Sequence, residues 1–169
     1  MPTIRPTAEQ DWAVLKQMRL AALLDAPTAF GVRHASAASY SEAEWRQRAT
    51  AGRGATFLLA WVGDVAVGLV GHHRATAGAE LNLIAMWVAP ACRGLGVAAA
   101  LVDAVKAHAL AQGQARIVLD VAPTNGRAVA FYRRHGFVFL PEWEALESHP
   151  EITLQKMAWC GVACRPGSD

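Results

Sequence analysis

The sequence predicts an α+β fold, a mixed and mostly antiparallel twisted sheet flanked by helices, in the order β-α-α-β-β-β-α-β-α-β-β. Three observations carry the prediction. Strand-like segments outnumber helical ones along the chain. Residues 57–62 and 65–72 flank Gly63-Asp64, a tight-turn dipeptide that marks an antiparallel hairpin. Residues 80–121 read strand-helix-strand, a unit whose strands run parallel with a right-handed crossover.

Each element has a local cause. After a short strand near Ile4, Thr7-Ala8-Glu9-Gln10 fits a capping box in which Gln10 reaches back to the Thr7 amide. Trp12, Leu15, Met18, Arg19 and Ala22 then recur at helical spacing, and the helix ends before Ala26-Pro27. Residues 28–40 show little periodicity and read as a long binding loop. Ser41-Glu42-Ala43-Glu44 is a second capping box, opening a helix through Trp45 to about Ala49. The hairpin follows, then a strand over 80–88 that stops at Ala89-Pro90, and a helix from Val97 to about Gln112. Residues 116–121 form a strand, 124–135 a helix, and 137–140 and 152–159 the last two strands, joined by a connection over 141–150.

Composition narrows the function classes. The chain has 169 residues, 53% hydrophobic and 18% charged, which suits one domain over 1–160 with 161–169 as a loose tail. A net charge of +2 is too small for a general grip on nucleic acid, although Arg supplies 13 of the 16 basic side chains. No apolar stretch approaches the length of a membrane span, and the N-terminus has no signal-like apolar core. Cys92, Cys160 and Cys164 cannot close a disulfide framework, and Cys160 and Cys164 with His149 fit no common zinc spacing. A reduced, cytoplasmic protein without a metal is therefore expected.

The sharpest local signal is Arg93-Gly94-Leu95-Gly96 at the mouth of the helix that starts at Val97. Small residues admit a phosphate to the backbone, free first-turn amides donate to it, and an Arg adds a charge-assisted contact. An ordinary strand-to-helix turn would look the same. Gly94-Leu95-Gly96-Val97-Ala98-Ala99, with Asp120 some 20 residues on, also fits a dinucleotide fingerprint. Five residues separate that loop from its strand, an antiparallel hairpin precedes it, and too little chain follows for a second nucleotide-binding half.

Downstream, Asn125-Gly126-Arg127-Ala128-Val129-Ala130-Phe131-Tyr132-Arg133-Arg134-His135-Gly136-Phe137 completes a second motif. The two together, in this order and spacing, resemble the Arg/Gln-x-x-Gly-x-Gly/Ala signature and the Asn…Tyr…Gly-Phe motif of the GNAT superfamily of N-acetyltransferases. The likeness extends to the order of elements and is weakest before Phe57 and after Phe139. It implies acetyl-CoA as co-substrate and a primary amine, of a small molecule or a peptide, as acceptor, joined by direct attack in a ternary complex. On this resemblance Arg93, Gly94, Leu95, Gly96, Val97 and Ala98 would hold the pyrophosphate. The Val88 amide would face the thioester carbonyl, and Asn125 and Ala128 would line the pantetheine arm. Tyr132 would protonate the departing thiolate, and Glu80 would take the proton of the amine.

Blander readings stand beside these. Tyr132 also suits a half-buried aromatic beside Phe131, Asn125 a helix cap, and Glu80 an edge carboxylate. Gly136 is explained as the residue that ends a helix. His72 and His73 are adjacent on a strand and point to opposite faces, so one of them reaches any cleft there. Cys92 adjoins Arg93 but has no base beside it, and direct transfer needs no acyl-enzyme. Acceptor specificity is expected in residues 28–40, Trp45, Trp87 and 141–150, with Phe30, Tyr40 and Trp143 as apolar walls; Glu142, Glu144 and Glu147 form an acidic cluster that suits a cationic amine near a cleft but reads first as solvated surface. A GNAT-fold module that binds acyl-CoA without turnover is the alternative class, and the resemblance leaves a homodimer open.

Overall fold

The computed structural model describes residues 1–75 and 80–161. Seven strands form one sheet in the order β1-β2-β3-β4-β5-β7-β6, with β1 Thr3–Pro6, β2 Thr56–Val62, β3 Val65–Arg74, β4 Glu80–Val88, β5 Arg116–Val121, β6 Val138–Leu146 and β7 His149–Cys160. Every adjacent pair is antiparallel except β4 and β5, the two strands of the predicted strand-helix-strand unit. The helices are α1 Trp12–Asp25, α2 His34–Ala38, α3 Glu42–Ala49, α4 Val97–Ala111 and α5 Gly126–Arg134. Among the described residues no helix is long and apolar enough to cross a membrane. Nor do they hold a group of three His, Cys, Asp or Glu able to bind a metal ion.

Alternation along the strands builds a core on each face of the sheet. Phe57, Leu59 and Leu69 pack with Leu15, Ala22 and Trp45 of the α1–α3 layer. Leu58, Ala60, Ile117, Leu119 and Met157 pack with Leu101, Val105 and Val129 of α4 and α5. Gly68 permits the close approach of α4: a Cβ there would meet Trp87 O and Val97 Cγ1 at 3.1 Å.

Four expectations need correction. Thr7 does not cap the first helix. Its amide donates to the Phe57 carbonyl (2.9 Å) and its hydroxyl to the Ala49 carbonyl (2.7 Å). Asp11 caps instead, accepting from the Ala8 amide at 2.8 Å and from the forked Arg5 guanidinium at 2.9 and 3.1 Å. Residues 28–40 contain the short α2, too brief to show a period. The connection over 141–150 is mostly strand, because β6 is an edge strand and tolerates Pro141. Gly161 belongs to the body, its amide donating to the Ala115 carbonyl at 2.9 Å. The rest of the expected tail, with Cys164, lies outside the described residues.

The feature that makes a site is the divergence of β4 from β5. The two pair from Glu80↔Arg116 to Asn82↔Val118 and no further. Just beyond, β4 bulges: Leu69 faces Trp87 while Gly71 faces Ile84, so Ala85 and Met86 share the place opposite Val70. Ala85 sits at φ 57°, a left-handed conformation that a non-glycine residue adopts only under local constraint.

Candidate active site

A cleft of about 940 Å³ opens where the strands part. Its floor is Asn82 to Met86 on one side and Leu119 to Val121 on the other. The α5 wall supplies Asn125, Ala128 and Tyr132. Leu119 packs in the α4–α5 core, so Asp120, its neighbour, projects to the opposite face, where Arg19 of α1 and Phe30 complete the walls. The cleft thus runs through the sheet and has a mouth on each face.

Helix α5 brings the second motif together. Asn125 is its N-cap, with Oδ1 accepting from the Ala128 amide at 3.2 Å. The helix ends in a Schellman turn: the Phe137 amide donates to the Tyr132 carbonyl and the Gly136 amide to the Arg133 carbonyl, both at 3.0 Å. Gly136 takes φ 86° there, as its place in the sequence predicts. The Tyr132 ring meets Phe131 and Phe137 edge-on, at centroid distances of 5.2 and 5.5 Å. Burial raises the pKa of its hydroxyl well above the usual phenol value, so it stays protonated across the physiological range.

Past the cleft, β4 leads into the glycine loop. Gly94 and Gly96 adopt φ 78° and 81°, and a Cβ on either would meet nothing within 4 Å. Gly96 is the N-cap of the 15-residue α4 and supplies no side chain, and Ala100 is the first amide that bonds within the helix (3.0 Å, to Gly96). The amides of Val97, Ala98 and Ala99 therefore stand at the positive end of the helix before open space, a cradle for a phosphate. Leu95 is exposed and Val97 buried in the α4–α5 core.

The Arg93 guanidinium is directed elsewhere. Its Nε donates to the Val88 carbonyl at 3.0 Å and its Nη2 to the Asp25 carboxylate. Asp25 also accepts from the Trp87 indole at 3.0 Å, and these two bonds hold its carboxyl below the usual range. The clamp joins the end of α1 to the end of β4. Nothing in the local sequence signals it, because Asp25 and Arg93 are 68 residues apart. Ala89 donates to the Val67 carbonyl, so by antiparallel alternation the Val88 amide points away from β3, toward the side where β5 has diverged.

The remaining predicted residues divide. Glu80 does not line the cleft; it sits where β4 and β5 are still paired, in a 3.3 Å ion pair with Arg116. Of the two histidines, His73 reaches the cleft and His72 is buried against His108. Phe30 forms part of the wall, whereas Trp45 and Trp87 belong to the α1–α3 core and Trp143 is exposed. Tyr40 meets Trp45 edge-on and lies under Arg48. Glu144 and Glu147 do face the cleft. Burial, with the adjacent Asp120, pushes the Glu144 carboxyl up, and Asp120 is itself ion-paired to Lys156 at 3.3 Å. The Phe30 loop is tied to the β6–β7 turn: the Ser148 hydroxyl donates to the Phe30 carbonyl at 2.6 Å, and Arg33 donates to the Ser148 carbonyl at 2.7 and 3.0 Å.

Comparison with known proteins adds the following. The family model described as acetyltransferase (GNAT) family matches residues 20–137, more than half of the chain. No curated protein sequence matches it. Among solved structures, a GNAT-family acetyltransferase from Streptococcus pneumoniae superposes with a TM-score of 0.76 at 20% identity, covering 95% of this chain and 100% of the other. The ribosomal-protein-S18-alanine N-acetyltransferase of Escherichia coli gives 0.69 at 16% identity, covering 100% and 99%. The PaiA N-acetyltransferase of Thermoplasma acidophilum, solved in complex with coenzyme A, gives 0.67 at 15% identity, covering 95% and 99%.

Proposed function

The chain belongs to the GNAT acetyltransferase family, and from that premise we propose that it transfers an acetyl group from acetyl-CoA to an amine by direct attack. The observation that carries this reading is the cleft through the sheet with Tyr132 in its wall. Two mouths let the acyl donor enter from the α4–α5 face and the acceptor from the α1 face.

The residues present suit CoA. The open amides from Gly94 to Ala98 would take the pyrophosphate, and the small Ala128 with the free amide end of Asn125 would border the pantetheine arm. The Arg93 side chain would first have to leave Asp25, so the backbone is the main anion site. When bound, acetyl-CoA supplies an acyl carbon and a thiolate leaving group. The Val88 amide is the proposed donor to the carbonyl oxygen as negative charge develops there. The amine nitrogen bonds to the acyl carbon as the carbon–sulfur bond breaks. Tyr132, kept protonated by burial, gives its proton to the departing sulfur, and the second amine proton passes to the phenolate left behind.

The amine must lose a proton before it attacks. Glu144, which lines the cleft with its carboxyl held up by partial desolvation and by Asp120, is the base this reading assigns. Glu80 would act only through a longer water relay, because Arg116 holds it at the closed end. Thiol release from acetyl-CoA over a broad amine panel tests the reading. Release with at least one amine, slowed by Glu144→Gln more than by Glu80→Gln, supports it. Acetyl-CoA binding without release with any amine indicates a binding module, and NADH binding that excludes acetyl-CoA overturns the assignment.

A further inference from the structure

Arg19 is a charged residue of the cleft that the transfer chemistry does not use. It lies on the α1 side of the wall, half-buried, with its guanidinium 5.6 Å over the Phe30 ring. Its Nη1 is buried with no hydrogen-bond partner, and among the described residues no carboxylate pairs with it. Desolvation lowers its pKa and the nearby Arg48 adds to the fall, with Tyr40 offsetting part of it. A guanidinium brings five donors in a fixed fork, and leaving those of Nη1 unmet in a partly desolvated wall is costly. The Ser148 latch fixes the Phe30 loop beside it, so the geometry does not depend on a loop finding its place.

Across the same cleft stand Glu144, Glu147 and Asp120, the last paired with Lys156, so one wall is cationic and the other net anionic. We propose that the acceptor is an aminocarboxylate: its carboxylate docks on the Arg19 fork over Phe30, and its ammonium lies toward the Asp120–Glu144 wall, facing the acyl donor. A single carboxylate matches the single guanidinium, whereas the three acids would repel a phosphate dianion. The proposal rests on the acyl-transfer reading above and narrows its substrate class. Arg19 is a specificity residue in this account and takes no part in moving protons.

The test compares free α-amino acids with their own primary carboxamides, which keep the amine and side chain and lose only the carboxylate. For the wild-type protein, kcat/KM with the best amino acid should exceed that of its amide by about 10- to 100-fold, the worth of one charge-assisted contact. Arg19→Met should erase the preference through acceptor KM and leave the KM for acetyl-CoA unchanged. Arg19→Lys, which keeps the charge without the fork, should retain part of it. Equal or better use of the amides by wild type, or a preference that survives Arg19→Met, overturns the proposal while leaving acyl transfer intact. If no amine is turned over, acyl transfer itself fails. Calorimetric binding of N-acetyl-amino acids against their N-acetyl amides then still reads the carboxylate site, equal affinity refuting it. Stability gives a readout apart from activity: Arg19→Met should melt at or above the wild-type temperature, and a marked fall would make Arg19 a structural anchor instead.

Discussion

Protonation of His72 should set the acid limit of this fold. His72 lies on β3 with 4% of its surface exposed, stacks on His108 of α4 at a centroid distance of 4.5 Å, and has a buried Nε2 without a hydrogen-bond partner. Burial first, then the charges of His108 and His73, pulls its pKa from 6.5 down to about 4. The folded protein therefore holds His72 neutral, while the unfolded chain takes up a proton near its ordinary pKa. Stability is fully present above about pH 6.5 and is lost as the pH falls toward 4. The slope approaches ~1.4 kcal/mol per pH unit, and across the whole window the loss is at most about 3 kcal/mol. Urea titrations followed by tryptophan fluorescence between about pH 7 and 4.5 measure it. His72→Phe, which keeps an aromatic ring on His108 and cannot be protonated, should flatten that part of the profile. A wild-type profile no steeper than that of His72→Phe would refute the burial argument.

Two further outcomes follow from the clamp and the loop. Asp25→Ala removes the acceptor shared by the Trp87 indole and Arg93, and should lower stability by about 1–2 kcal/mol in denaturant titration, chiefly by orphaning a buried indole N–H. The same variant frees the Arg93 side chain, so the KM for acetyl-CoA should hold or fall, and a large rise would show that the clamp shapes the loop. Gly96→Val puts a β-branched side chain at φ 81° in front of the α4 amides, and should raise the KM for acetyl-CoA about tenfold or more with kcat less affected.

The sequence makes the scaffold of the site legible where punctuation is strong. The end of β4 falls where Ala89-Pro90 places it, β5 spans the predicted 116–121, and the two signatures lead directly to α4 and α5. Ser41 caps α3 as its capping box predicts, accepting from the Glu44 amide at 3.2 Å. Local pattern fails where the deciding partner is distant. Thr7 looks like a cap until Ala49, 42 residues on, takes its hydroxyl. Glu80 looks free until the parallel register sets Arg116 beside it. Arg19 reads as one more residue on a helix face, and only the docking of α1 and the latching of the Phe30 loop make it a wall of the cleft. Glu144 reads as a solvated acid in a connection, because the edge strand that carries it continues past a proline.

The central claim, acyl transfer in this cleft with Tyr132 as the proton donor to sulfur, is tested most directly by thiol release from Tyr132→Phe at saturating acetyl-CoA and acceptor. The ring contacts with Phe131 and Phe137 do not need the hydroxyl, so the variant should melt close to the wild type. The account predicts a fall in kcat of about 10²- to 10⁴-fold with the KM for acetyl-CoA within a few-fold of wild type. Turnover equal to that of the wild-type protein would contradict it.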